Sequence, residues 1–409
     1  MATLTAAPVR PPLVAWVRRH LLSGPLNTLL TLVFGAVFVA AGMAVVRFLA
    51  NSDFTILRVN LALFMVGGFR RDELWRIAVA AWLLSLMGGL VGGLVAAAAA
   101  ARARQTGVVV TGATGRGRWS VLRRFWPFGL FLVICLSLTE TIQPTLVTVL
   151  GIGLAVGGYW LARRWPASWR RFLYLALPIL GLAAYGVMAS SGLGWSRWGG
   201  FHLNLFLTGA GLLLAFPFGI LLALGRRSSL PVVKGIAVGY IEVIRGVPLI
   251  TLLLMGVFAL GFFLPSNLRP SDVTRVLVAI TLFEAAYIAE VVRGGLQAVP
   301  SGQTEAAQAL GLSPWKITRL IVLPQALRAT IPAMVGQFIS LFKDTTLVAA
   351  VGLGDVLAAS SFANSQPAFN AQGLARITLP FVALAFWAGS YTMSREAKRL
   401  ERRLGVGER

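Results

Sequence analysis

The chain has 409 residues, of which 57% are hydrophobic and 12% charged, with a mean hydropathy of +0.78. It carries about half the charge of an average soluble protein, which excludes a soluble globular enzyme, a disordered regulator and a secreted disulfide scaffold. An all-α polytopic membrane protein is expected instead. The formal net charge is +23; with apolar runs this long, the basic excess points to cytoplasmic loops beside lipid headgroups, not to nucleic acid.

In chain order, the first apolar stretch covers 26–49. It follows Arg10, Arg18 and Arg19, but it is too long for a signal-peptide core and no small-residue cleavage site follows, so it reads as a retained span. Residues 50–76 carry Arg58, Arg70, Arg71 and Arg76 on the side that the charge pattern counts as outside. Leu57, Leu61, Phe64 and Met65 recur there at helical spacing, as in an interfacial helix. Further spans are expected at 77–101, 125–140, 143–162, 172–188, 203–225, 236–264, 273–292, 329–350 and 377–394, for ten in all. Basic clusters alternate with poorly charged loops, which places both termini on the cytoplasmic side. Trp16, Trp75, Trp126, Trp165, Trp169, Trp195 and Trp198 fit interfacial belts, and Pro217, Pro248 and Pro332 fall inside spans, where proline kinks a helix. Cys135 lies in an apolar run and serves packing; with His20 and His202 far apart, no metal-ligand cluster forms. Residues 1–198 read as an extension of about five spans, 199–395 as the functional core, and 396–409 as a basic tail.

The core contains the most informative segment, a loop at about 294–328. Ser301 can cap a helix whose first turn holds Thr304 and Glu305. Ala306, Ala307, Ala309 and Leu310 favour helix, Gly311 stops it, and Ser313-Pro314 opens a second helix. The product is two short helices joined by a tight turn, a shape suited to docking in another protein's groove.

Seven positions then fall in one pattern: Glu305, Ala306, Ala307, Gly311, Ile321, Leu323 and Pro324. Glu-Ala-Ala, three residues, Gly, nine residues, Ile, one residue and Leu-Pro resembles the coupling loop of permease subunits of ATP-binding-cassette importers. Tyr240 to Leu249, Ala286 to Gly295 and Phe342 to Leu347 are similar to segments of the histidine, glutamine and general L-amino-acid permeases. The likeness covers about residues 200–395, and Pro25-Leu26-Asn27-Thr28 in the extension resembles the general L-amino-acid subgroup. It departs at Glu284-Ala285, where small residues are expected. The resemblance implies a type I importer permease core in a bacterial inner membrane. It also implies a second, distinct permease subunit, two ATP-binding subunits, each with a cleft that the loop enters as a coupling helix, and a periplasmic amino-acid-binding protein. ATP and magnesium would sit on the partner ATPase. The chain itself has no G-x-x-x-x-G-K-[ST] phosphate loop and no Ser/His/Asp constellation, so no catalytic residue and no bound cofactor are expected.

Charges at bilayer depth cost ~2.5–3.5 kcal/mol each and therefore pair or line a pathway. Glu242 and Arg245, three residues apart, can pair on one helix face, and so can Glu290 and Arg293; both pairs are gate candidates. Glu284 has no basic neighbour at helical spacing and is the better pathway candidate. Lys343-Asp344, followed by Thr345 and Thr346, makes a polar break of the kind that lines cavities. The alternative of an ion-gradient-driven secondary transporter needs paired inverted repeats, and no second Glu-Ala-Ala loop occurs.

Overall fold

The computed structural model describes residues 13–106, 119–139, 141–166, 170–189, 198–263, 265, 269–370 and 372–404. The glycine-rich stretch at 112–117, Trp169, Trp195 and residues 405–409 lie outside them. Among the described residues every regular element is helical, and strand geometry is limited to an isolated bridge between Gly200 and Asp355. The chain forms two compact units, Met1–Phe54 and Thr55–Arg409.

The first unit holds α1 (Leu13–His20) and α2 (Pro25–Asn51). Pro25 opens α2, where a missing N–H leaves no bond unmade. None of the 27 residues of α2 is buried, and its surface is apolar all round, as lipid requires.

The second unit starts with α3 (Thr55–Val66). Its helical spacing was readable, and its apolar stripe packs on protein: Ile56, Leu57, Leu61 and Phe64 are buried. Gln366 Nε2 donates to Asn60 Oδ1 at 2.7 Å, and the Phe64 ring meets Phe381 edge-on at 5.3 Å between centroids. Next come α4 (Leu74–Thr106), α5 (Trp119–Ser137), α6 (Gln143–Arg164) and α7 (Arg170–Ala189). Leu90, Leu94, Ala162 and Leu173 form the core between α4, α6 and α7. Cys135 is buried in α5. Trp198, expected in an interfacial belt, is instead buried against the rings of His202 and Phe206.

The remaining elements are α8 (Gly200–Arg226), α9 (Pro231–Gly246), α10 (Leu249–Leu254), α11 (Leu260–Phe263), α12 (Asp272–Ala298), α13 (Ser301–Ala309), α14 (Pro314–Ile317), α15 (Leu323–Asp344), α16 (Val356–Asn364) and α17 (Ala375–Leu404). Among the described residues, six helices are long and apolar enough to cross a membrane: Pro25–Asn51, Arg71–Ala98, Gln143–Arg164, Gly200–Arg226, Pro314–Val351 and Ala375–Glu401. A bent pair, Pro231–Gly246 with Leu249–Ala259, raises the count to seven. The chain is therefore a multi-pass membrane protein. The other expected spans fall on the shorter apolar helices Trp126–Ser137 and Phe172–Met188, and on α12, which carries Arg275, Glu284 and Glu290.

The segment 236–264 is not one straight span, because its two arms bend by 103°. Pro248 lacks an N–H and pushes Val247 into extended backbone, φ −105° and ψ 134°. A π turn at Met255–Ala259 follows α10, and the Arg275 guanidinium donates to its Val257 carbonyl while also pairing with Asp272. Pro217 and Pro332, also expected to kink their helices, leave α8 and α15 continuous.

A buried polar knot ties the start of α8 to the start of α16. Asn204 Nδ2 donates to Asp355 Oδ2 and to Thr345 Oγ1, each at 3.1 Å. The Val356 amide donates back to Asn204 Oδ1 at 3.2 Å, and Asp355 Oδ1 caps α16 by accepting from the Ala358 amide at 2.9 Å. Burial pushes the Asp355 carboxyl above its ordinary pKa, while the Ala358 and Asn204 hydrogen bonds pull it back.

Candidate functional site

The hairpin at 301–317 is built from local rules. Pro300 occupies the N-cap and Ser301 is the first helical residue, with no side-chain cap bond; the expected Ser301 cap is corrected. Gly311 ends α13 with φ +73°, a conformation that costs L-residues with a side chain about 1–2 kcal/mol. Its N–H donates to the Gln308 carbonyl at 2.9 Å, and the Leu312 N–H donates to the Ala307 carbonyl at 3.1 Å. These two bonds form the Schellman stop. Leu312 then folds into the apolar cluster that holds Ala307, Ile317, Leu296, Val292 and Ile241, so the hairpin rests on the ends of α9 and α12.

The second helix is not a separate short element, contrary to expectation. From Pro314 at its first turn it runs through a π turn, Thr318–Val322, straight into α15. Pro324 has no N–H to donate into the preceding turn, and the wider π turn absorbs that loss without a break. Of the motif residues, Glu305, Ala306, Gly311 and Pro324 are exposed, Ile321 and Leu323 are half-buried, and Ala307 is buried. Leu310 is 80% exposed and Trp315 64%. The sequence reading missed these two as contact residues, although the signal was present: two large apolar side chains flank the Gly311 turn in an otherwise small and polar loop. Exposed Trp and Leu on a hairpin tip suit burial in a partner's groove.

A charge cluster lies where α8, α9 and α12 end beside the hairpin. Glu290 sits at its centre. It pairs with Arg293, as the spacing suggested, and also lies 3.5 Å from Arg226 and 3.7 Å from Arg245. The expected pairing of Glu242 with Arg245 is corrected: Glu242 accepts from Arg226 Nη1 at 2.9 Å, and Arg245 turns to Glu290 and to the face of Tyr287, 5.6 Å from its centroid. Arg293 Nη1 donates to Gln297 Oε1 at 2.8 Å, and Arg227 Nη1 to the Leu296 carbonyl at 3.3 Å. These side chains are a quarter to a half exposed, so each pair contributes about 1 kcal/mol or less. Together they hold three helix ends in one arrangement.

Deeper in the bundle, Glu284 is fully buried, with the Gln337 side chain beside its carboxyl but in no well-formed hydrogen bond. It lies on the face of α12 that packs against α15, toward Gln337 and Asp344. Ser340 Oγ donates to Asp344 Oδ2 at 3.3 Å, whereas Lys343 is exposed. The polar break at 343–346 is a 3-10 turn, Thr345–Val351, in which the Thr345 and Thr346 hydroxyls donate to the Phe342 and Lys343 carbonyls at 2.7 and 2.8 Å. The site residues therefore form three groups: the hairpin, the Glu290 cluster next to it, and Glu284 with Asp344 farther in. Lys343 stands apart.

Residues 215–406 match the family described as binding-protein-dependent transport system inner membrane component. The chain is 37% identical to the glutamate/glutamine/aspartate/asparagine transport system permease protein of Rhodobacter capsulatus, over 96% of this chain and 93% of the relative. It is 46% identical to an inner membrane amino-acid ABC transporter permease protein of Escherichia coli K12, over 52% of this chain and 57% of the relative. Among solved structures, an amino acid ABC transporter crystallised with histidines is 29% identical, covering 55% of this chain and 97% of that one with a TM-score of 0.44. Both relatives are named as transport permease proteins, the E. coli one as a permease of an amino-acid ABC transporter. The chain belongs to the binding-protein-dependent transport system inner membrane components, as a permease subunit of the amino acid ABC transporter kind.

Proposed function

We propose that the protein forms half of an amino acid pathway through a bacterial inner membrane, as the distinct partner of a second permease. ABC permease subunits carry no ATPase of their own, so two ATP-binding subunits, holding ATP and magnesium, supply the energy. A periplasmic binding protein delivers the amino acid to the outer face. The proposed topology has ten spans, counting the bent α9–α10 pair, α5, α7 and α12, with both termini in the cytoplasm and the 294–328 segment facing the ATPases. The N-terminal extension is assigned to 1–198 and the core to 199–395.

The single observation that carries this reading is the protruding hairpin. Glu305, Leu310 and Trp315 are exposed at its tip, while Ala307 and Leu312 anchor it to the core. A groove on an ATPase can grip that tip and move it. Movement of the hairpin displaces the ends of α9 and α12, where Glu242, Arg245 and Glu290 meet, and these residues form the inner gate. Glu284 and Asp344, with Lys343 at the polar turn, face the pathway above it. Glutamate, glutamine, aspartate and asparagine are the substrates named for the R. capsulatus relative, and they are the first to test.

The test is uptake into membrane vesicles that contain the co-expressed subunits and loaded binding protein. ATP-dependent accumulation of one of these amino acids is expected, and Glu305→Lys should abolish it while the permease stays in the membrane. Uptake that follows an ion gradient and ignores ATP would refute the proposal.

A further inference from the structure

The helices α4, α6 and α7 gather arginines at one end. Trp82 Nε1 donates to the Val147 carbonyl at 2.9 Å, and a Cβ on Gly89 or Gly93 would collide with the Ala155 or Tyr159 carbonyl, so α4 and α6 run parallel in backbone contact. Arg76 Nη1 donates to the Val187 carbonyl at 3.1 Å, so α7 runs antiparallel to α4. The last turns of α4 and α6 and the first turn of α7 therefore lie at the same end. Arg163 and Arg164 close α6 there, and Arg170 opens α7. Between Glu73 and Glu242 the sequence has one acid, Glu140, which precedes α6. Arg163 and Arg164 lie 5.6 and 5.1 Å from the centroid of the Trp160 ring, and among the described residues neither of them nor Arg170 meets a carboxylate. Two donors at this end are unmet: Arg170 Nε and Trp165 Nε1 have no hydrogen-bond partner.

An apolar groove leads away from Arg170. Val91, Leu94, Val95 and Ala98 of α4 and Tyr174 and Leu177 of α7 line a cavity of about 140 Å³. Arg170, Tyr174 and Leu177 are four and three residues apart, on one face of α7, so a guanidinium heads the stripe that lines the groove. On α4, Arg102 follows Ala98 by four residues. Val91, Val95 and Tyr174 are exposed, so the groove opens on the outside of the bundle, where a membrane protein meets lipid. Donors that the protein leaves unmet at such a boundary call for an acceptor from outside it. A phosphodiester offers anionic oxygens to the guanidinium fork, and the acyl chain beneath it fills apolar space. Free phosphate has nothing to place in the groove, and a zwitterionic headgroup brings a cation that three arginines repel. We propose that the groove between α4 and α7 binds an anionic glycerophospholipid, its phosphate at Arg170 and Trp165 in the field of Arg163 and Arg164, and one acyl chain against Val91, Val95 and Tyr174.

The experiment uses the full-length permease in mixed micelles with phosphatidylglycerol or phosphatidylcholine, each carrying the same photoreactive diazirine on one acyl chain, and labelled peptides are mapped by mass spectrometry. Phosphatidylglycerol should label the peptides holding residues 91–98 and 174–177 at least about fivefold more than phosphatidylcholine does. Replacing Arg163→Gln, Arg164→Gln and Arg170→Gln together should erase that preference, and the three corresponding Arg→Lys changes should keep most of it. Val95→Trp fills the groove from an exposed position and should lower labelling of 174–177 several-fold with the arginines in place and the unfolding midpoint unchanged. Equal labelling by the two lipids, or labelling spread evenly over all spans, would mark ordinary bilayer lipid and overturn the proposal. So would displacement by inorganic phosphate as effective as displacement by unlabelled phosphatidylglycerol, which would show a site for the free anion.

Discussion

Trp315 projects 64% of its surface from the hairpin, so truncating it leaves the fold of this chain intact and tests docking alone. Trp315→Ala should weaken retention of the ATPase in pull-down from detergent extracts by about 10–30-fold, the range of an interface anchor worth about 1.4–2 kcal/mol, with an unchanged helical circular dichroism signal. Gly311 tests the neighbouring bond pattern. No atom stands within 4 Å of where its Cβ would go, so Gly311→Ala is penalised by backbone strain alone, about 1–2 kcal/mol. Amides of Ser301–Ala309 should then exchange hydrogen about tenfold faster, while those of α12 keep their protection. Asn204→Leu removes both donors that hold Asp355 and Thr345 and leaves a buried carboxylate short of a partner. A loss of about 3 kcal/mol or more is expected, seen as a lower unfolding midpoint in detergent.

The elements differ in how they gain stability. α13 is nine residues long, too short to persist alone in water, and it is held by the Schellman stop and the burial of Ala307. α12 and α15 are long and gain from close packing, which in lipid depends on small residues where helices cross. Gly295 is that residue at their crossing. Gly295→Val should force the helices apart and cost about 1–3 kcal/mol, read as thermal destabilisation of the purified permease; Gly294→Ala, at a position with open space around it, is the control and should leave the midpoint unchanged. α9 and α10 show the opposite device, a backbone broken at Pro248 so that one apolar segment turns a corner.

At the scale of the whole molecule, the parts legible in the sequence were those governed by neighbours along the chain. The hairpin was readable because Gly311 and Pro314 act within a turn or two, and Glu284 because a lone carboxyl interrupts an apolar run. Pairings between helices were not. Glu242 meets Arg226 across 16 residues, and Asn204 meets Asp355 across 151, distances over which no spacing rule operates. The destination of the apolar face of α3 was equally hidden, because lipid and protein look alike to a hydrophobic stripe. Three prolines inside apolar segments had three similar signals, yet of these only Pro248 broke its helix; there the Val247 amide takes up the Ile244 carbonyl that the proline leaves without its usual donor.

One of these features has a mechanical meaning. From Pro314 to Val351 the backbone coils without an intervening loop, so Trp315 at one end and Thr345 at the other are joined by roughly 45 Å of helix at ~1.5 Å per residue. Thr345 is bonded to Asn204, and through it to Asp355. If an ATPase docks on the tip as proposed, its push travels as through a pushrod to that pinned bearing, and the Thr318–Val322 π turn and the proline at 332 are the places where the rod could flex.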